Sequence, residues 1–181
     1  ESFTGKKIPD ILFKNFNNKV TIDKTIGNGQ YSFFEFKIRL GKGTRRWAKG
    51  NYYKTKVIAH EMGHGIHFEK NIVNYGKHMS DEFKDLYSFA QKELKEISGG
   101  KIGEYLYKIE NDYIINKNTT NSDDAEKWGS FMDTLGDLTK GRYGQGHTKK
   151  YYKEMPGMEL FAHLSENYFV GNKYFKKHLP E

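Results

Sequence analysis

Apolar and charged residues alternate along residues 31–40, most clearly from Phe34 onward. Phe34, Phe36, Ile38 and Leu40 share one face, and Glu35, Lys37 and Arg39 share the other. A period of two predicts a half-buried strand, and its backbone could take an extended peptide as an added strand. Val20-Thr21-Ile22 is a second, shorter strand candidate, and Gly27-Asn28-Gly29 reads as a turn. From residue 54 the period changes. Val57, Ile58 and Ile66 suit a buried helix over residues 54–70. Ser80 or Asp81 can cap a second helix with the stripe Phe83, Leu86, Tyr87, Ala90 and Leu94, which Ser98-Gly99-Gly100 ends. Residues 102–116 have a mixed pattern that fits a short helix or an extended segment. Ser122 or Asp123 opens a further helix carrying Trp128, Phe131, Leu135 and Leu138 and ending before Gly141. After the irregular Gly-rich segment 141–147, residues 158–169 form the last strong helix, with Leu160, Phe161, Leu164, Tyr168 and Phe169 as its packing face.

The pattern predicts an α+β chain, mainly helical with a small N-terminal sheet. Its 181 residues suit one domain: strands and an arm over residues 1–50, then a helical part over residues 51–181. Within the arm, Ile11-Leu12-Phe13 is a short apolar patch. The composition, 36% hydrophobic and 29% charged, is that of a folded chain rather than a disordered one. No run approaches 18 apolar residues, so no membrane span is expected. No signal-peptide pattern is visible, and a start at Glu1 fits a processed product or an excised domain.

Charge is uneven. Residues 1–60 hold 13 Lys and Arg against four Asp and Glu, whereas residues 61–181 hold 17 against 19. Arg45-Arg46-Trp47 is part of that basic half. No nucleic-acid module accompanies it, so a solvated basic face is favoured over a nucleic-acid partner. Gly41-Lys42-Gly43 lacks the rest of a phosphate-loop pattern and reads as a turn. With no Cys in the chain, any metal must be held by His, Asp or Glu.

The segment His60-Glu61-Met62-Gly63-His64 is the chemically specific one. On a helix, His60 and His64 project from one side, one turn apart, as two imidazoles meeting one tetrahedral Zn²⁺ require. Glu61 lies where it can take a proton from a metal-associated water. Gly63 permits another segment to approach closely. A catalytic zinc takes a third protein ligand. Glu159, 95 residues past His64 at the start of the last helix, is the expected one, because Ala162 lets that helix pass close to the first. Glu166, two turns later, is the alternative. His67 would need an unusual bend to join the other two histidines, and His163 suits a ligand-orienting role. His147, at the edge of the Gly-rich segment, could stand on the rim of a cleft.

HExxH with a distant Glu in the context Glu159-Leu160-Phe161-Ala162 resembles the gluzincin branch of zinc metallopeptidases. One similar group is the catalytic domain of anthrax lethal factor and its relatives, in which a Tyr precedes the ligand Glu by seven residues. Tyr152 holds that position here, and Phe161 supplies the aromatic residue that follows the Glu. The other is the zincin-like domain of phage head-morphogenesis and minor-capsid proteins. Its order of elements is similar to Asp133-Thr134-Leu135-Gly136-Asp137, then Tyr143-Gly144-Gln145-Gly146-His147, then Tyr151-Tyr152 and Glu159. The likeness spans roughly residues 55–170 and implies a zincin-like metallopeptidase domain. It implies Zn²⁺ on His60, His64 and Glu159, with Glu61 as general base. Tyr152, or otherwise Tyr151, would donate to the developing oxyanion, and His147 would do the same or line the cleft. The implied partners are a protein or peptide substrate, and the phage likeness adds head-assembly proteins. It implies a place in the virion or in the bacterial cytoplasm during phage assembly, with secretion as the alternative. A non-proteolytic zincin-like domain and a secreted toxin or effector protease are the alternative functions.

Overall fold

The period-two segment folds as parts of two strands, not one. The computed structural model describes residues 20–27, 29–32, 35, 37–41, 51–70, 81–116, 122–154 and 159–179. Strand β1 is Val20–Ile22, β2 is Gly29–Ser32 and β3 is Lys37–Leu40. The chain reverses between Ser32 and Lys37, so β2 and β3 pair antiparallel with Tyr31 opposite Ile38. No Gly, Pro or Asn marks that reversal in the sequence. Alternation runs on through it and hides it. β1 pairs parallel to β3, giving the order β1-β3-β2. β3 is therefore the central strand, with both edges taken, and cannot accept an added peptide strand as expected. Phe34, Phe36, Arg45, Arg46, Trp47 and the patch Ile11-Leu12-Phe13 lie outside the described residues.

Seven helices follow among the described residues. They are α1 (Asn51–Lys70), α2 (Asp81–Ile97), α3 (Ile102–Asn116), α4 (Ser122–Leu138), α5 (Lys149–Glu154), α6 (Leu160–Phe169) and α7 (Lys173–His178). The result is an α+β architecture, mainly helical with a three-stranded sheet. The mixed segment 102–116 is fully helical. α2 ends where the glycines demand it. Gly99 and Gly100 take positive φ, and the Gly100 N–H donates to the Lys95 carbonyl at 2.9 Å. Asp123 and Asp124 in the first turn of α4 suit the positive end of its dipole. α7 forms in the basic segment that follows α6. Asn172 caps it by accepting from the Tyr174 N–H at 3.0 Å. No described helix is long and apolar enough to cross a membrane.

Two apolar clusters hold these elements. The larger joins Ala90 and Leu94 of α2, Leu106 and Ile109 of α3, Trp128, Phe131, Met132, Leu135 and Leu138 of α4, and Leu160 of α6. The smaller seats Tyr31 and Ile38 of the sheet on Met62 of α1, with Leu40, Ile58, Ile66 and Phe169 packed around them. α1 thus lies between the sheet and α6. At the crossing of α1 with α6 a Cβ on Gly63 would stand 2.7 Å from the Ala162 Cα, so the helices touch backbone to backbone. Gly29 has a similar reason. A Cβ there would meet Val57 at 2.4 Å and the Glu61 carboxylate at 2.8 Å, so this glycine serves a close approach at the start of β2. On α6, Leu160, Phe161, Leu164 and Phe169 of the expected face do pack against the two clusters. Tyr168 is exposed, while His163, Ser165, Glu166 and Asn167 are buried.

Two outcomes follow from this packing. Gly63→Ala forces α1 and α6 apart and should destabilise the protein by about 1–3 kcal/mol in a urea titration. His178 should make stability depend on pH. Burial, then Lys177, lowers its pKa to about 4, with Asp112 opposing. Its Nδ1 lies 2.7 Å from the Tyr105 hydroxyl, which donates to it while the ring is neutral. Below the unfolded value near 6.5 the unfolded chain binds the proton that the folded chain refuses. This contribution is therefore complete above pH ~6.5 and is lost as pH falls toward 4. His178→Gln should flatten that slope in denaturation midpoints measured across this window.

Candidate metal centre

α1 presents His60, Glu61 and His64 beside the N-terminal turn of α6. Glu159, the residue before α6, sits in helical conformation, and its side chain makes no cap hydrogen bond. Its carboxylate faces the histidines instead. Glu159 Oε2 is 3.3 Å from His60 Nε2 and 3.1 Å from His64 Nε2. A tetrahedral ion with bonds of about 2.0 Å separates its ligand atoms by roughly 3.3 Å, so these contacts match its edges. His60, His64 and Glu159 form one of two groups among the described residues that could hold a metal ion. Nitrogen donors with a single carboxylate suit a transition metal better than Ca²⁺ or Mg²⁺, which want oxygen.

The second group is His60, His163 and Glu166. Its two rings already have a carboxylate partner each, while Glu166 Oε1 accepts no hydrogen bond. The His60 Nδ1–H donates to Glu166 Oε2 at 3.1 Å. His163 Nδ1 pairs with Asp137 Oδ2 at 2.5 Å. The Lys56 ammonium lies 3.9 Å from Glu166 Oε1, where it repels a further cation. This group is scaffolding behind the first. Glu166 holds the His60 ring by one nitrogen and so turns the other toward Glu159. The His163 ring backs the His60 ring at a centroid distance of 4.8 Å. Lys56 also pairs with Glu126 at 2.8 Å and donates to the Ser130 hydroxyl at 3.3 Å, tying α1 to α4 and α6.

The electrostatics follow from these pairs. Burial opposes charge on His60, but its hydrogen bonds to Glu159 and Glu166 outweigh it and lift the ring to about 10. Burial pushes the Glu159 carboxyl up, and the bonds from His147, His60 and His64 overcome it, leaving the group far below the ordinary carboxylate range. Glu166 shows the same balance. Burial is outweighed by His60 and Lys56, and its pKa falls to about 2. Glu61 goes the other way. Burial raises it, and neighbouring Glu159 adds to the rise, against the opposing pull of His60 and His64. The Tyr31 backbone N–H of β2 donates to Glu61 and helps to hold it. A raised carboxylate beside a metal group is suited to accepting a proton.

The two tyrosines of α5 have different places. The Tyr151 hydroxyl donates to Glu159 Oε1 at 2.6 Å. The Tyr152 hydroxyl turns away. It donates to the Gln145 carbonyl at 3.1 Å and accepts from the His147 N–H at 3.0 Å, bracing the Gly-rich loop from below. Neighbouring residues on a helix point about 100° apart, and only the seating of α5 decides which faces the site. His147 reaches the site. Its Nε2 is 3.6 Å from Glu159 Oε1, and its ring stacks on Tyr151 at 4.0 Å. The loop allows this because Gly144 and Gly146 take positive φ and Gly144 lies against the α4 backbone. Of the expected site residues, His60, Glu61, His64, Glu159 and His147 are together and Tyr152 stands behind them. The His67 side chain lies outside the described residues.

Sequence reasoning assigned no orienting role to Glu166, none to Lys56, and none to Asp137 beyond its place in the quoted motif. One signal was available. Glu159 and Glu166 are seven residues apart and share a helix face, as a pair bracketing one ring requires. Comparison of the chain with protein-family models, with curated proteins and with solved structures finds no match. The functional reading therefore rests on the site itself.

Glu166→Ala removes a buried carboxylate from both Lys56 and His60. It should cost about 3 kcal/mol in a urea titration, because each is left with a single carboxylate partner. Glu166→Gln keeps the volume and should cost only about 1–2 kcal/mol.

Proposed function

We propose that this chain is a zinc-dependent endopeptidase domain of the zincin type, with Zn²⁺ held by His60, His64 and Glu159. The observation that carries the reading is the convergence of two imidazole nitrogens and one carboxylate oxygen, at 3.1 and 3.3 Å, beside a buried Glu61 of raised pKa. Two histidines and one carboxylate match the three protein ligands that a catalytic zinc takes. When bound, the ion supplies Lewis-acid polarisation of a carbonyl and lowers the pKa of water. Glu61 accepts the proton of the attacking water and passes it to the leaving amine nitrogen, so one carboxylate serves as base and then acid. Glu166 keeps the His60 Nδ1–H engaged, so Nε2 offers its lone pair. His147, on the rim and half-exposed, is the side chain placed to meet a developing oxyanion. The likeness to the lethal-factor catalytic domain and to the phage zincin-like domain agrees with this reading. The phage likeness also suggests head-assembly proteins as partners.

Metal analysis of purified variants tests it. The wild-type chain should hold one Zn²⁺. His60→Ala, His64→Ala and Glu159→Ala should each lose it. Glu166→Ala should retain the site with ~10–100-fold weaker affinity, because it orients a ligand and is not one. Glu61→Gln should keep the ion while cleavage of a denatured protein substrate falls by ~10²–10⁴-fold. A fully active Glu61→Gln protein would refute the general-base role. Tight zinc in Glu159→Ala, with zinc lost from Glu166→Ala or His67→Ala, would refute the ligand set.

A further inference from the structure

The two oxygens of Glu159 have different neighbours. Oε2 faces His60 and His64, whereas Oε1 accepts from the Tyr151 hydroxyl at 2.6 Å and lies 3.6 Å from His147 Nε2. A carboxylate can meet an ion through one oxygen or through both. Bidentate binding would fill the position that a three-ligand catalytic site leaves open. A short hydrogen bond to an ionised carboxylate is about twice as strong as a neutral one, so occupying Oε1 is an effective restraint. The donor is itself held. The Tyr151 N–H donates to the Thr148 hydroxyl at 3.2 Å, and its ring is stacked on His147 at 20° between planes. The adjacent Tyr152 anchors α5 to the Gly-rich loop through the Gln145 carbonyl and the His147 N–H.

We propose that Tyr151 is a positioning residue that restricts Glu159 to one-oxygen ligation and thereby keeps a coordination position free for water or substrate. The proposal deepens the metal reading of His60, His64 and Glu159 and rests on it. It also separates Tyr151 from the oxyanion role that spacing alone would assign to either tyrosine.

The test uses Co²⁺ as a coloured probe in chelator-treated protein, read by visible absorption. Four-coordinate Co²⁺ absorbs strongly, and the bands weaken and shift when a further ligand atom is added. Wild-type protein should bind one Co²⁺ with the intense spectrum. Tyr151→Phe, which keeps the ring against His147, should still bind one. Its bands should be weakened and shifted, and its affinity changed by ~10-fold or more. A measurement without any variant gives an independent answer. X-ray absorption on the wild-type zinc protein should resolve a single carboxylate oxygen in the first shell. A Tyr151→Phe spectrum identical to wild type, or two carboxylate oxygens in wild type, overturns the Tyr151 proposal and leaves the metal reading standing. Wild-type protein that takes up neither ion overturns both.

Discussion

Everything at the site depends on how closely α1 and α6 cross. Gly63 and Ala162 meet with no side-chain bulk between them, and the crossing sets the separation of the two helix axes. At that separation the carboxylate just before α6 reaches the imidazoles of His60, one turn before Gly63, and of His64, next to it. A single methyl group on Gly63 would stand 2.7 Å from the Ala162 Cα and force the two helices to shift. The sheet presses α1 from the other side through Tyr31 and Ile38, so the helix cannot retreat. Gly29 brings β2 close enough for the Glu61 carboxylate to lie against the strand.

His60 is the residue on which the polar layer turns. It has two nitrogens, and α6 supplies a carboxylate for each. Glu159 faces Nε2 and Glu166 faces Nδ1. Burying two carboxylates against one ring would be costly without a further cation, and Lys56 supplies it from α1, one turn before His60. Glu126, Ser130, Asp137 and His163 extend the network into α4 and α6. Each group in such a layer is costly if left alone and stabilising when paired. The apolar cluster of α2, α3, α4 and α6 carries the fold, while the polar layer determines where the rings of α1 point.

The Gly-rich loop and α5 form the other wall. Tyr152 ties the loop down, and Tyr151 and His147 are thereby placed together over Glu159 Oε1. This division of labour between adjacent tyrosines separates a structural hydroxyl from one that addresses the site. His147 is the more exposed of the two groups on that wall.

Much of this was legible in the chain. HExxH puts two imidazoles on one helix face with a carboxylate beside them by helical spacing alone, and Ala162 near Glu159 announces a close helix crossing. The stripes Leu86, Ala90 and Leu94, then Trp128, Phe131, Leu135 and Leu138, are local periodicities that need no partner to be read. The zero cysteine count restricted the donor types. What the chain could not decide were matters of relative orientation. Periodicity continues through the β2–β3 reversal, so the hairpin was invisible. Tyr151 and Tyr152 have nearly the same spacing from Glu159, and only the seating of α5 against α4 turns one hydroxyl inward. Glu166 stood as an alternative ligand because sequence spacing puts it on the same face as Glu159. The lateral offset between α1 and α6 makes it a holder of His60 Nδ1 instead. Spacing along one helix fixes direction around that helix. Which atom is met there depends on the distance and tilt of a second element, and those arise only when the whole core packs.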